Sequence, residues 1–587
     1  VAEAPFRKLL IANRGEIAVR IMRSARELGI KTVAVYSEVD RDARHVSLAD
    51  EAYLLGPAPP AQSYLNRDKI IEVAQRAGAD AIHPGYGFFA ENASFAQAVI
   101  DAGMTWIGPT PAAIDAMGDK VRARKAMLKA GVPVVPGGIE PILDVAGARK
   151  AAEQFGLPLA LKASGGGGGK GLKVARTIGD VESAFTTAQR EATAYFNNGT
   201  IYAERYLDNP KHIELQILAD KHGNVVHVGE RDCSLQRRHQ KVWEEAPALI
   251  SDHVREGLRA AGIAAAKAIA YDSVGTIECL VAGDEFFFLE MNTRIQVEHT
   301  VTEMISGIDL VREQILVAAG RPLSFAQFEI DFRGHSIEVR INAEDPAHNF
   351  RPAPGTITAY REPAGFGVRV DSAASTGFAI TPDYDSMIAK LIVWGRTRDE
   401  SLERLRRAID EYVVEGIPTT LSLLRELADF APVLDASYGT ATLEPFAAAR
   451  IVANGHVASE GAPPAPSESI RVEVNDKLFR VRFIDLPPGL GAPRRAMPAS
   501  AIVKGGTRKT QAPQGNDVVS PMHGVVVEVN VADGAVVAEG QVVAVIEAMK
   551  MMNEIRAHKT GTIAAVHVKA GDTVEARAPI VTLAPAP

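Results

Sequence analysis

Residues 517–587 of this 587-residue chain contain an internal repeat. Gly524-Val525-Val526-Val527-Glu528-Val529-Asn530-Val531-Ala532-Asp533-Gly534 matches Gly561-Thr562-Ile563-Ala564-Ala565-Val566-His567-Val568-Lys569-Ala570-Gly571 at an offset of 37 residues. Val537 matches Val574 at the same offset. Both copies read as short valine-rich strands ended by glycine turns. Two similar all-β halves predict a small sandwich with quasi-two-fold symmetry. Lys550 lies in Val545-Ile546-Glu547-Ala548-Met549-Lys550-Met551-Met552, where a hairpin between the halves must turn. A lysine in a β-protein is ordinarily a solvated surface charge. Between two methionines, at the junction of a symmetric repeat, it reads instead as an exposed tip that a modifying ligase can reach.

The rest of the chain is too long for one core, so three or more domains are expected. An apolar fraction of 47% and a charged fraction of 23% are ordinary for a soluble globular protein. The net charge of −8 is spread without long single-sign blocks, which argues against nucleic acid as a partner. It leaves room for a local cationic pocket. Only Cys233 and Cys279 occur, too few for a disulfide framework or a multi-cysteine metal centre. The segment Val1-Ala2-Glu3-Ala4-Pro5 has no basic and apolar signal regions, and no apolar run is long enough to span a membrane. The expectation is a cytoplasmic protein with neither a membrane nor a nucleic-acid partner.

Along the chain, Lys8-Leu9-Leu10-Ile11-Ala12 reads as a strand, and Ile17, Ile21, Ala25 and Leu28 mark a helix that Gly29 stops. Thr32–Tyr36 is the next strand, which makes a parallel βαβ unit. Its turn lacks G-x-G-x-x-G, so it gives little support for dinucleotide binding. Ala81–Gly87 and Trp106–Pro109 read as further strand exits of an open α/β layer. A basic helix spans Lys120 to Lys129. Between 212 and 300 strands alternate with polar loops, one of them the charged run Arg231 to Glu245. Residues 453–516 read as linker, with Gly461–Pro466 and Pro487–Gly489 flanking a hairpin, Ile470–Val474 and Leu478–Phe483, around Asn475-Asp476.

Three stretches carry chemistry. The five glycines Gly165–Gly169 lie between Lys162 and Lys170. Such a run is either a flexible surface loop or a backbone that wraps an anion with no Cβ in the way. No G-K-[ST] opens a helix here, so a Walker A site fits poorly. In Phe288–His299, strand alternation predicts Glu290, Asn292, Arg294, Gln296 and Glu298 on one face. Polar groups beside an apolar run are costly unless they bind something. With Glu278 one strand earlier they offer hard oxygen ligands for Mg²⁺, and Arg294 offers a fork for a small oxyanion. The run Arg231–Lys241 is either a solvated charge cluster or an anion-binding element, and the second reading fits its neighbours.

These motifs resemble the biotin-containing α subunit of bacterial acyl-CoA carboxylases: biotin carboxylase followed by a biotin carboxyl carrier domain. They are Ala12–Ala18, His83–Phe88, Lys162–Gly171, Arg231–Pro247, Glu290–His299 and Glu547–Met551. The resemblance implies an α/β and α+β protein. An N-terminal preATP-grasp α/β domain covers 1–119 and an ATP-grasp domain 120–330, its glycine-rich lid at about 133–204. A carboxylase C-terminal domain covers 331–452, a linker with a partner-docking hairpin 453–516, and an all-β biotinyl domain 517–587. Residue by residue it implies ATP contacts at Lys120, Lys162, Gly166, Gly167, Gly168, His212, Gln236 and His239, with Glu204 and Leu207 at the adenine hinge. Glu278, Glu290 and Asn292 match the Mg²⁺ or Mn²⁺ ligands, and Arg294, Gln296 and Val297 the bicarbonate cradle. Glu298 matches the general base, Lys241 an electrostatic stabiliser, Arg340 the group facing negative charge on biotin, and Lys550 the biotinylated lysine.

The implied activity is ATP-dependent carboxylation of biotin from bicarbonate by way of carboxyphosphate. A separate carboxyltransferase β subunit, within a hetero-oligomer, then carboxylates an acyl-CoA for fatty acid biosynthesis. Biotin protein ligase is the implied modifying partner. Thr300 stands where the family usually has proline, Phe89-Ala90 where Leu-Ser is common, and Trp243 where an aliphatic residue is usual. Two alternatives rank below this reading: the ATP-dependent subunit of a two-subunit pyruvate carboxylase, and an ATP-grasp ligase with a lipoyl carrier.

Overall fold

Lys8–Ile11 is the middle strand of a five-stranded sheet with the order Glu51–Gly56, Lys31–Ser37, Lys8–Ile11, Ala81–His83, Thr105–Trp106. Every pair in it is parallel. The helix Gly15–Glu27 makes the first crossover because Ile17, Ile21 and Ala25 recur at turn spacing and are buried. Gly29, at φ +75, lets the chain turn back into the next strand. This is a computed structural model that describes residues 4–138, 140–163, 172–196, 199–237, 240–455, 469–474, 477–482, 516–521, 524–548, 551–574 and 577–584. The chain forms two compact units, one holding Val1–Ala448, the other Ala449–Glu547 with Met552–Pro587.

An eight-stranded antiparallel sheet runs through the first unit. Its order is Glu285–Asn292, Ser273–Ala282, Lys211–Ala219, Val225–Arg237, Gln240–Ala246, His335–Asn342, Met387–Gly395, Val368–Ser372. Pairing continues across position 330, since Gln240–Ala246 lies beside His335–Asn342. The central strand Lys211–Ala219 explains how this sheet makes a site. Ile213, Leu215 and Ile217 turn to one side and pack with Val254, Leu258 and Ala265 of the helix Asp252–Ala268. His212, Glu214 and Gln216 turn to the other face, and they are buried as well. Buried polar groups need partners, so that face must carry its own network of charges.

A smaller three-stranded sheet, Leu172–Ala175, Leu159–Ala163, Ile201–Arg205, packs with the helices Val145–Phe155 and Val181–Phe196 around its own apolar core. Beyond the large sheet, Ile337, Val339, Leu391 and Val393 meet Leu402 and Leu405 of the helix Arg398–Glu411.

Two sequence expectations change here. The charged run Arg231–Glu245 is not a polar loop. It is a β-hairpin of Val225–Arg237 and Gln240–Ala246, with Asp232 opposite Glu245. The second change is that strand alternation ends at Asn292. Residues 293–298 form a turn that leads into the helix His299–Ser306, with Glu298 at its N-cap. Apolar spacing in Val301 and Ile305, both buried, drives the chain into a helix there.

In the second unit the repeat becomes two four-stranded sheets. One has the order Asp517–Val519, Pro579–Leu583, Gly561–Val566, Val536–Val537, and the other Met551–Arg556, Val542–Ala548, Gly524–Val529, Thr573–Val574. Moving along the chain by the 37-residue offset carries each strand of one sheet onto the strand at the same place in the other. Val526, Ile546, Ile563 and Ile580 fill the core between them. The strands Ser469–Val474 and Lys477–Arg482 pair antiparallel, Ile470 opposite Val481, as the alternation predicts.

Candidate functional site

The polar face of the large sheet holds a closed set of ion pairs. Lys241 lies among three carboxylates: it pairs with Glu214, with Glu298 at 2.6 Å and with Glu278 at 3.3 Å. Burial works against the ammonium, but Glu214, Glu278 and Glu298 outweigh it and hold its pKa well above the usual lysine range. Arg340 bridges Glu298, at 3.0 Å, to Glu244, its Nε donating at 2.7 Å. Burial would raise Glu298, yet Lys241, Arg340 and Arg231 hold it well below the usual carboxylate range. The two cations, Lys241 and Arg340, thus favour the ionised form of Glu298.

Glu278 and Glu290 face each other across the strand pair Ser273–Ala282 and Glu285–Asn292, with Thr276 opposite Asn292. Asn292 Nδ2 and Gln296 Nε2 each donate to Glu278 Oε1 at 2.7 Å. His212 Nε2 lies 3.0 Å from Glu278 Oε2, and its Nδ1 meets Gln236 Nε2 at 3.0 Å. Burial opposes charge on both partners, but Lys241 and then His212 hold Glu278 below the usual carboxylate range, and Glu278 raises His212. Two carboxylates and an amide oxygen fit a small hard cation such as Mg²⁺ or Mn²⁺. His212 and Glu214 also lie with Glu278 in a cluster close enough to share an ion.

Arg294 donates from Nε to Glu91 at 2.9 Å, from Nη2 to Asn292 Oδ1 at 2.7 Å, and more weakly to Ile295 O at 3.3 Å. Among the described residues this leaves one N–H on each terminal nitrogen, the fork that binds a planar oxyanion. Gln296 is buried, and Val297 gives its carbonyl to Lys390 Nζ at 2.6 Å. The tips of 292–298 therefore converge although only Asn292 belongs to the strand.

Arg231, in the run Arg231–Lys241 read as an anion-binding element, is fully buried. It donates to Glu214, Gln216, Thr276, Thr302 and, at 2.8 Å, Gln296 Oε1. Arg237 bonds Asn349 and stacks on Phe350 at 4.1 Å. Of these described cations Lys241 is the one paired with Glu278 and Glu298. Cys233 is buried and its thiol pushed well up by burial, so it is no nucleophile.

Lys162, on Leu159–Ala163, pairs with Glu204, on Ile201–Arg205, and Leu207 follows in the half-buried exit of that strand. Gly166, Gly167, Gly168, His239, Lys550 and the side chain of Lys120 lie outside the described residues. Lys550 is flanked by Val542–Ala548 and Met551–Arg556, which are sheet neighbours.

Sequence reasoning missed Glu214, Glu91, Glu244 and Lys390. Glu214 was open to it, because His212, Glu214 and Gln216 alternate with Ile213, Leu215 and Ile217 in the pattern already used at 290–292. Glu91 and Lys390 come from distant segments, and no local spacing marks them.

Residues 5–114 match the biotin carboxylase N-terminal domain family, and 119–326 the ATP-binding domain of the carbamoyl-phosphate synthase L chain. Residues 338–445 match the biotin carboxylase C-terminal domain, and 516–583 the biotin-requiring enzyme family. The chain is 45% identical to the biotin-dependent acyl-coenzyme A carboxylase alpha3 subunit of Mycobacterium leprae, over 98% of each chain. It is 51% identical to a pyruvate carboxylase subunit of Methanothermobacter thermautotrophicus, over 71% of this chain and 85% of that protein. The biotin carboxylase domain of Hydrogenobacter thermophilus 2-oxoglutarate carboxylase, solved with MgADP, ADP and bicarbonate, aligns with a TM-score of 0.69 at 48% identity. That alignment covers 75% of this chain and 97% of that one.

Proposed function

Since the chain belongs to the α subunits of biotin-dependent acyl-CoA carboxylases, we propose that its buried charge cluster carboxylates biotin held on Lys550. ATP and bicarbonate are consumed, and the carboxyl group passes to an acyl-CoA on a carboxyltransferase partner. The observation that carries this is Glu298 held ionised between Lys241 at 2.6 Å and Arg340 at 3.0 Å, next to the oxygen-rich Glu278.

Arg294 and Gln296 hold bicarbonate, and Glu298 takes its proton so that it attacks the γ-phosphoryl group of ATP. Lys241 stabilises the charge that develops as carboxyphosphate forms. Glu278, Glu290 and Asn292 would hold Mg²⁺, which neutralises phosphate charge when bound. Lys162, Glu204, Leu207, His212 and Gln236 contact the nucleotide. Gly166–Gly168 close over it and exclude water from carboxyphosphate. Biotin supplies the nitrogen that accepts the carboxyl group, and Arg340 faces the negative charge that develops there.

Full-length relatedness to an acyl-CoA carboxylase subunit favours acyl-CoA over pyruvate, since the pyruvate carboxylase relative matches 71% of this chain. Biotin protein ligase loads Lys550, and the strands Ser469–Val474 and Lys477–Arg482 dock the carboxyltransferase in a cytoplasmic hetero-oligomer. The test is ¹⁴C-bicarbonate incubation with ATP, followed by acid-labile label on the protein and then on acetyl-, propionyl-, butyryl- and long-chain acyl-CoA or pyruvate with native partners. Label must depend on ATP and vanish in Lys550→Ala. ATP-independent label overturns the carboxylase reading, and label on pyruvate alone overturns the acyl-CoA acceptor.

A further inference from the structure

Behind Arg340 lie two carboxyl groups that the mechanism does not use. Glu244, on Gln240–Ala246, and Glu338, on His335–Asn342, are register partners in an antiparallel pair. Directly opposite residues share a face with Cβ atoms about 4.5–5.5 Å apart. Both side chains are fully buried. Each leaves one oxygen without a hydrogen-bond partner among the described residues, Oε2 of Glu244 and Oε1 of Glu338. Two buried, facing carboxylates with an unsatisfied oxygen each are costly when both are ionised. One proton held by the pair removes that repulsion.

We propose that Glu244 and Glu338 share one proton in the working enzyme, so that Arg340 faces one fewer carboxylate and keeps positive charge for the reaction. Glu338 and Arg340 lie two residues apart on one strand and share its face. Arg340 already meets Glu244 and Glu298. A third ionised carboxylate would compete for the charge that it turns to the substrate.

Charged groups face the pair from every element packed against it. Lys241 shares the strand of Glu244, and Arg340 that of Glu338. Lys390 lies on Met387–Gly395, opposite Arg340. Glu298 caps the helix His299–Ser306, and Thr300, in its first turn, donates its hydroxyl to Glu338 Oε2. Burial pushes Glu244 up to about 7 against the pull of Arg340, and Glu338 up to about 8 against that of Lys390. The charge of Glu298 also raises Glu244, and that of Glu244 raises Glu338. The Thr300 hydroxyl favours the ionised form of Glu338 and so sets how readily the proton leaves.

Glu244 and Glu338 act through Arg340 as positioning residues, and the inference rests on the proposed role of Arg340. The experiment uses the full chain with free biotin as the acceptor, scanning kcat/KM for biotin from about pH 6 to about pH 9. Bicarbonate-dependent ATP cleavage without added biotin is followed on the same samples. Wild-type kcat/KM is expected to fall about tenfold per pH unit once the pair gives up its proton. Glu338→Gln, which holds the neutral state, is expected to lose that alkaline limb. Thr300→Val is expected to move the limb to higher pH, and it decides the matter should Glu338→Gln fail to fold. A wild-type profile without the limb, or a limb unmoved by the variants, overturns the inference. No bicarbonate-dependent ATP cleavage at all overturns the function on which it rests. Biotin carboxylation without the limb overturns the shared proton alone.

Discussion

Arg231→Met removes a fully buried guanidinium from the centre of the site. Its Nε and Nη2 both donate to Glu214 Oε2, at 3.2 and 3.0 Å, and Nη1 donates to Gln216 at 2.6 Å. Thr276, Thr302 and Gln296 accept the rest. Methionine fills similar volume but leaves Glu214 with Lys241 as its remaining cationic partner of full charge. Removing one member of a buried pair costs roughly 3–5 kcal/mol because the other charge stays desolvated. The loss is measurable without interference from the carrier unit. All three tryptophans, Trp106, Trp243 and Trp394, lie in the first unit, so tryptophan fluorescence in guanidinium reports that unit alone. Arg231→Met is expected to lower its unfolding free energy by about 3–5 kcal/mol, and adding Glu214→Gln is expected to restore part of that loss. A loss below about 1 kcal/mol, typical of solvated pairs, would refute the claim that Arg231 organises the buried face.

Glu298→Gln should reduce bicarbonate-dependent ATP cleavage by about 10²–10⁴-fold while nucleotide titration still shows binding; near-normal cleavage would end its role as base. Burial would raise Glu245, but hydrogen bonds from His335 and Arg398 hold it below the usual carboxylate range. Its contribution to stability is therefore complete at neutral pH and is lost on acidification through and below that range. The tryptophan-monitored midpoint should fall with acid in wild type and less steeply in Glu245→Gln. Gly334 has φ +71, and a Cβ there would sit 2.2 Å from the carbonyl oxygen of Gly395. Gly334→Ala should destabilise the first unit by roughly 1–3 kcal/mol in the same denaturation, and an unchanged midpoint would show that the strand end gives way freely.

Much of the site was readable because its residues lie in short runs with a strand period. Glu290 and Asn292 on one strand and Glu278 on the next follow from alternation alone. Past Asn292 the same rule fails in form, since the chain turns into a helix. Arg294, Gln296 and Glu298 still reach the cluster because hydrogen bonds to Asn292, Glu278 and Lys241 draw them in. The charge of Arg231–Lys241 was visible, but its direction was not. A strand buries every second residue, and which arginine is buried depends on the sheet that forms around it.

Sequence by itself determined the parts that depend on local spacing. These are the parallel start, the helix Lys120–Lys129, the hairpin at 469–482 and the carrier sandwich, whose 37-residue repeat maps one sheet onto the other. Tertiary structure alone decided which charges meet. Lys390 reaches Val297, Glu91 reaches Arg294, and Glu244 faces Glu338, across separations of about 90 to 200 residues. The physical reason is burial. An ionised group in water is nearly indifferent to a partner several ångströms away. Once the sheet removes water from both, their charge, their protons and their positions depend on each other.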